Sequence, residues 1–123
     1  LYNNSMTGSI PTELGLMSRL LGNFALNANA LNGSAPSELG QLVAMTHNLN
    51  LAYNKVSKSI PTQLGKLTLM TNLLTLQSTA LSKSLPTEIG QLSQLHQVYA
   101  SSNEISGEIK IELKWCSRPL GRE

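Results

Sequence analysis

The hexapeptide Ile-Pro-Thr-Glu-Leu-Gly at residues 10–15 decides the fold, because close copies of it recur three more times along the chain. The copies read APSELG at 35–40, IPTQLG at 60–65 and LPTEIG at 85–90. Their prolines lie at positions 11, 36, 61 and 86, which is a period of 25 residues. A repeat of this length indicates a solenoid, in which each unit is one structural element that stacks on its neighbours.

Paired apolar residues near the start of each unit predict a short strand. Members of a pair stand two positions apart, as expected for residues on one inward face. These pairs are Phe24 and Leu26, Leu49 and Leu51, Leu74 and Leu76, and Val98 and Ala100. Further inward contacts are expected from Leu31, Val56, Leu81 and Ile105. The proline then fixes φ at a bend, and we predict one short helical turn that ends at a left-handed glycine.

A polar position follows each predicted strand. It is occupied by Asn4, Asn29, Asn54, Thr79 and Asn103. A side-chain amide at this place can satisfy backbone groups of its own and neighbouring coils that water cannot reach. The sequence therefore predicts an internal hydrogen-bond ladder, in which Thr79 is one step without an amide.

These features together resemble the plant-type leucine-rich repeat, N-x-L-x-G-x-I-P-x-x-L-G-x-L, found in receptor-kinase ectodomains and polygalacturonase-inhibiting proteins. Residues 4–14 and 29–42 match it best, and the resemblance covers residues 1–109. It implies an α/β fold, a right-handed leucine-rich-repeat solenoid. A short-stranded parallel sheet would form the concave face, and short helical or 3-10 turns would form the convex side. Residues 110–123 are expected to be a degenerate C-terminal tail.

The chain departs from the family pattern at several positions. Its period is one residue longer than the usual plant repeat, and the step from Pro86 to Lys110 returns to 24. Lys58 and Lys83 replace the glycine that positions 8, 33 and 107 keep. Each lysine is expected to cost about 1 kcal/mol if that position needs a positive φ. Neither end supplies the family's cysteine-paired cap, so we interpret the chain as a piece of a longer protein or as an odd open reading frame whose ends are not natural.

The residues between the inward positions are predicted to point out of the sheet and to form columns about 4.8 Å apart across its concave face. The columns are polar, contain all three tyrosines and carry no formal charge. Such a surface suits a protein, peptide or glycan partner, because tyrosine offers a large contact area at low entropic cost. The alternative is that these are only solvated strand residues. The candidate ligand-binding residues are Tyr2, Asn27, Asn50, Tyr53, Thr75, Gln77, Tyr99 and Ser101.

The composition argues against several other classes of function. Nine basic residues face seven acidic ones, and four of the nine lie at or after Lys110, so the body lacks the basic stripe of a nucleic-acid-binding protein. His47 and His96 are predicted to share one outward position two coils apart, roughly 10 Å from each other. Aspartate is absent, and the lone Cys116 excludes an internal disulfide or a multi-thiolate metal site. We therefore predict no enzyme activity, no cofactor and no metal site.

The sequence thus predicts a non-catalytic binding module, similar to a segment of a receptor-like ectodomain. We expect an extracellular or cell-surface location, a membrane-associated parent, and no membrane contact within the chain itself. One alternative is a soluble inhibitor of a cell-wall hydrolase. Another is a surface-templating or ice-binding solenoid, for which only Thr75 supplies a threonine in the central outward columns. Asn3 and Asn32 begin Asn-x-Ser sequences and are candidate N-glycosylation sites.

Overall fold

The computed structural model describes residues 1–105, which form a stack of coils that each contribute strands and one 3-10 helix. The strands are β1 (Thr7–Ser9), β2 (Phe24–Ala25), β3 (Ala30–Ser34), β4 (Leu49–Asn50), β5 (Lys55–Lys58), β6 (Leu73–Thr75), β7 (Ala80–Leu81) and β8 (Gln97–Tyr99). The 3-10 helices are Thr12–Leu16, Ser37–Gln41, Thr62–Lys66 and Thr87–Gln91. The boundary that we predict between residues 109 and 110 lies outside the described residues.

The predicted parallel sheet is present and joins β2, β4, β6 and β8 in that order. We call it the concave sheet. Leu49 lies opposite Phe24 on one side and Leu74 on the other, so successive strands are offset by the repeat of 25 residues. Leu74 pairs with Val98 across the last step, an offset of 24 that matches the shorter final unit. The fold is therefore the leucine-rich-repeat solenoid that the repeat predicts.

A second parallel sheet joins β1, β3, β5 and β7 and was not predicted. Its register differs from the sequence repeat, because Gly8 lies opposite Leu31 and Gly33 lies opposite Val56, an offset of 23. Each unit places only one inward apolar residue in this segment, such as the buried Leu31 and Val56. One inward residue gives no alternation from which a strand can be recognised. The second sheet therefore becomes visible only in the structure.

One continuous core fills the space between the sheets and the 3-10 helices. The predicted inward pairs are buried, apart from Ala100, which packs against the core while partly buried. Leu49, Leu51 and Leu76 are fully buried at the centre of the stack. The inward face of the concave sheet is therefore assigned correctly from the sequence.

The glycines of the repeated hexapeptide do not have the conformation that we predict. Gly15, Gly40, Gly65 and Gly90 lie within the 3-10 helices, and none of them has a positive φ. A Cβ atom on Gly65 would lie 2.5 Å from the carbonyl oxygen of Glu88 in the next coil, and one on Gly40 would collide with that of Gln63. Glycine is thus required at Gly15, Gly40 and Gly65 because adjacent coils approach closely there, and the prediction of a left-handed helix end is wrong.

The lysine substitutions differ from each other in backbone conformation. Lys58 has φ 68°, in line with Gly8 at 85° and Gly33 at 73°, so this position does place lysine in the left-handed region. Lys83 is not among the residues with positive φ, and β7 ends two residues before it. The expected strain of about 1 kcal/mol therefore applies at Lys58 alone.

Replacing Gly65 with alanine should destabilise the fold, because the new methyl group would collide with the backbone of the next coil. We expect the free energy of unfolding in urea to fall by about 1–3 kcal/mol. Lys66→Ala, at the exposed neighbouring position of the same helix, is the control and should change it by less than about 0.5 kcal/mol. Equal effects of the two substitutions would show that close stacking at Gly65 is not what the fold requires.

Replacing Leu51 with aspartate should disrupt the central coils, because it buries an unpaired charge in the core. We expect a loss of roughly 4 kcal/mol or more, a large fraction of the stability of a domain of this size. Asn50→Asp places the same charge on the other face of β4 and should melt nearly like the parent. A cooperative thermal transition of Leu51→Asp at the parental temperature would contradict the assigned inward face.

Candidate ligand-binding face

The asparagine ladder fixes the chain where it leaves the concave sheet. The Asn54 side chain is only 8% exposed, and its Nδ2 donates to the carbonyl oxygens of Leu51 and Ala52 in its own coil at 3.1 and 3.2 Å. The same amide donates to the carbonyl oxygen of Leu26 in the preceding coil at 3.0 Å, and Asn54 Oδ1 accepts from the backbone N–H of Leu31 at 3.1 Å. The two protons of this amide are shared among three carbonyl oxygens, so one side chain contacts four backbone groups and joins two coils, as predicted.

Thr79 interrupts this ladder in the way that the sequence predicts. Its Oγ1 lies 3.1 Å from the carbonyl oxygen of Leu76 and 2.6 Å from Asn103 Oδ1. A hydroxyl carries one proton and donates to only one of these oxygens at a time. Neither contact reaches the preceding coil, which an asparagine at the same place would contact as Asn54 does. The hydrogen-bonded bridge between the coil of Thr79 and the coil before it is therefore weaker than the bridges that the ladder asparagines make.

The residue just before each ladder position adopts a left-handed conformation. These residues are Asn3, Ala28, Tyr53, Ser78 and Ser102, with φ between 52° and 55°. Only asparagine among these types tolerates the conformation well, and a bulky residue such as tyrosine is unusual there. The conformation is thus imposed by the inward turn rather than by local preference, since Ser78 adopts it even before Thr79. The side-chain types gave no sequence signal for it.

The predicted site residues come together on the outer side of the concave sheet and its following turn. Asn50, Thr75 and Tyr99 lie side by side on β4, β6 and β8. The other five lie outside the strands, in the turns of their coils. Backbone hydrogen bonds from Tyr53 to Gln77 and from Asn3 to Asn27 continue the stacking through these turns. The columns thus extend beyond the strands themselves.

The three tyrosines are the prominent features of this face. Tyr2, Tyr53 and Tyr99 are 64%, 54% and 43% exposed. Gln77 Nε2 donates to Tyr53 Oη at 2.8 Å, and the Tyr99 hydroxyl donates to Gln97 Oε1 at 2.7 Å. These bonds hold two rings in defined positions while their faces stay accessible. The Tyr53–Gln77 contact joins adjacent coils and could not be predicted, because it depends on the left-handed backbone at Tyr53.

Ala52 forms a low point between longer side chains of the same column. The repeat spacing places it in one outward column with Tyr2, Asn27, Gln77 and Ser101, yet it is only 1% exposed and lies outside the continuous core cluster. Its methyl group is shorter than its column neighbours Asn27 and Gln77, which are half-buried. The backbone N–H of Ala52 also donates to Asn50 Oδ1 at 3.1 Å. At Ala52, the centre of the face is therefore closed to solvent.

Charged residues lie on other parts of the coils. Glu13, Glu38 and Glu88 belong to the 3-10 helices, and Lys55 and Lys58 belong to the second sheet. None of the eight predicted site residues carries a charge at neutral pH. The face is thus electrically neutral and offers amide, hydroxyl and aromatic groups for contact.

The two histidines occupy equivalent positions, as predicted. The backbone N–H of His47 donates to the carbonyl oxygen of Gly22, and that of His96 donates to the carbonyl oxygen of Asn72. His47 Nδ1 lies 2.8 Å from Thr46 Oγ1. Within residues 1–105, no cluster of histidine, cysteine and acidic side chains could hold a metal ion. The helices in this part of the chain are also too short to span a membrane.

Solved plant receptor ectodomains share this architecture. A chain of the BIR3–SERK2 complex from Arabidopsis thaliana is 33% identical, with a TM-score of 0.76 over 87% of this chain and 56% of that one. The BIR2 ectodomain from Arabidopsis thaliana is 29% identical, with a TM-score of 0.78 over 87% of this chain and 55% of that one. The chain is a plant-type leucine-rich-repeat protein.

This leucine-rich-repeat chain spans about half the length of those two structures. It is also similar to the Arabidopsis receptor kinase HAESA, solved in complex with the peptide hormone IDA and the co-receptor SERK1. The identity is 26% and the TM-score 0.61, over 89% of this chain and 22% of that one. No protein-family model and no curated protein sequence matches the leucine-rich-repeat chain.

Exchanging the ladder residues should change the stability of this leucine-rich-repeat chain in opposite directions. Thr79→Asn supplies the missing bridge and should raise the free energy of unfolding by about 1 kcal/mol, whereas Asn54→Thr removes one and should lower it by about 1–3 kcal/mol. Chemical denaturation measures both. The exposed Ser82→Asn controls for the residue change and should have no effect. If Thr79→Asn lowered stability, the gap at Thr79 would not be a missing hydrogen-bond step.

Proposed function

We propose that the chain is a non-catalytic binding module that recognises a protein or an extended peptide segment through its concave face. The observation that carries the proposal is the neutral face, where two of three exposed tyrosines are fixed by hydrogen bonds at Tyr53 and Tyr99. Fixed aromatic rings lose little conformational freedom when a partner binds, so more of their contact area contributes to affinity. An extracellular or cell-surface location belongs to the same proposal.

Similar proteins support this class of partner. HAESA was solved with a peptide hormone and a co-receptor, and BIR3 was solved with SERK2. Those ligands belong to those proteins. The resemblance favours a protein or peptide over a glycan, although amides and hydroxyls such as those of Asn50 and Thr75 would suit both.

The lack of charge defines the kind of segment that fits. A ligand with several carboxylate or phosphate groups would lose hydration on this face without gaining an opposite charge. We therefore expect a largely uncharged segment that stacks apolar or aromatic side chains on the tyrosine rings. Its backbone groups would bond with Asn27, Asn50 and Gln77. Binding of this kind should depend little on ionic strength.

Other functions receive less support from the described residues. An inhibitor of a hydrolase would use the same face, and no particular contact favours an enzyme as the partner. A surface-templating or ice-binding solenoid would need an ordered row of hydroxyl groups. The second sheet does not form one at Ser9, Asn32 and Lys55, which lie side by side and have three different types of side chain. Protein or peptide recognition is thus the function that the face supports best.

A displayed library of random peptides, selected on the immobilised chain, tests the proposal directly. Enriched peptides would be synthesised and titrated against the parent and a Tyr53→Ala/Tyr99→Ala double variant. We expect an uncharged consensus whose affinity falls in the double variant and varies little between low and high salt. Peptides that bind both proteins equally, or a library that yields no enrichment, would contradict binding at the concave face.

The single change Tyr53→Ala should weaken a selected peptide by about 5–30-fold, as expected for an exposed aromatic anchor. Stability should stay within about 0.5 kcal/mol of the parent, because alanine keeps the same left-handed backbone and only an exposed hydrogen bond to Gln77 is lost. Lys55→Ala is the matched control, two residues further on and outside the face. If Lys55→Ala reduced the affinity more than Tyr53→Ala, the site would lie on the second sheet.

A further inference from the structure

The outer side of the second sheet carries an amide that the fold does not use. Asn32 lies near the middle of β3 and is exposed. Its cross-strand neighbours are Ser9 on β1 and Lys55 on β5. Within residues 1–105 no hydrogen bond engages its side chain, whereas Asn29 and Asn54 are occupied in the ladder. The Asn32 amide is therefore accessible and chemically available.

The surroundings of Asn32 leave room for a large substituent. Ser34 completes the Asn-x-Ser sequence and is also exposed, so both side chains of the acceptor sequence can be reached from solvent. Gly33 stands between them and contributes no side chain. Even a Cβ atom added there would meet only Ser9 Cβ, at 3.6 Å. The approach to this pair is thus open on the side away from the core.

We propose that Asn32 is an acceptor site for an N-linked oligosaccharide when the chain enters a secretory pathway. The donor would be a lipid-linked oligosaccharide diphosphate. In the transfer, a bond forms between Asn32 Nδ2 and the anomeric carbon of the first sugar, and the bond from that carbon to the diphosphate oxygen breaks. The amide nitrogen loses one proton, and the lipid diphosphate departs as the leaving group. No electron transfer is involved.

The other Asn-x-Ser sequence has a different position in the fold. Asn3 has a left-handed backbone with φ 55° and belongs to the same column as Tyr53 on the concave face. An oligosaccharide on Asn3 would cover the proposed binding face, whereas one on Asn32 extends from the second sheet and leaves that face open. A glycan on Asn32 is therefore compatible with partner binding at the concave face, whereas a glycan on Asn3 is not.

A glycan at Asn32 would also limit the faces of the chain that a protein partner can reach. The sugar would cover the outer side of β1, β3 and β5 around Asn32. A protein partner would then be able to approach only the concave sheet and the convex helices. The inference does not require the proposed binding function, because acceptor use depends on Asn32 and Ser34 alone.

Cell-free translation of the full chain behind a cleavable signal sequence, with endoplasmic-reticulum microsomes present, provides the test. We expect a gel shift that peptide N-glycosidase reverses, and mass spectrometry should then find aspartate at position 32. Asn32→Gln and Ser34→Ala should each remove this modification, and Asn3→Gln should leave it in place. Circular dichroism of purified Asn32→Gln should match the parent, since that amide takes no part in the hydrogen bonds of the described coils.

Two results would overturn the proposal. One is the absence of any glycosidase-sensitive shift, and the other is a shift that persists in Asn32→Gln and disappears in Asn3→Gln. A double shift of which Asn32→Gln removes one step would support it. Peptide binding by the purified chain is measured separately, so failure of the glycan site and failure of the concave-face proposal are distinguishable.

Discussion

The hydrogen bonds of the ladder asparagines hold the rest of the structure in place. At the end of each concave strand the chain turns inward, and its backbone groups would be buried without partners if Asn29, Asn54 and Asn103 did not bond to them. An unpaired buried backbone group costs about 1–3 kcal/mol, so each asparagine makes a large contribution to the free energy of unfolding for one side chain. The residue before each ladder position is left-handed in every described coil, including Ser78 before Thr79, so the inward turn itself requires this conformation. The turn thereby sets the direction of the Tyr53 side chain.

Much of the fold could be predicted because the repeat states the same physical requirement several times. Apolar alternation at Leu49 and Leu51 predicts the concave strands, and proline predicts the start of each 3-10 helix, where Pro36 and Pro61 have φ −72° and −69°. The second sheet could not be predicted, because one inward residue such as Val56 per unit does not distinguish a strand from a loop. The tight glycines were misassigned since the atom that excludes a Cβ belongs to the next coil.

The candidate site was located by its position in the columns, and its contacts came only from the structure. Sequence spacing places Tyr53 and Gln77 in adjacent columns of adjacent coils. Their hydrogen bond depends on the left-handed backbone at Tyr53, which cannot be predicted from the residue type. Ala52 shows the converse case. Its column is correct, but its side chain is buried and offers almost no exposed surface to a ligand. The repeat period thus predicts the column in which a residue lies, but it does not predict how exposed that side chain is.

The two sheets respond differently to duplication of a repeat unit. On the concave sheet an offset of 25 residues places the same repeat position side by side in neighbouring coils, as with Leu49 and Leu74. On the second sheet an offset of 23 places Ser9, Asn32 and Lys55 in one row, although they come from three different repeat positions. Copying a unit therefore builds uniform rows on the concave side and mixed rows on the other. A regular binding surface can grow by gene duplication on only one of these two faces.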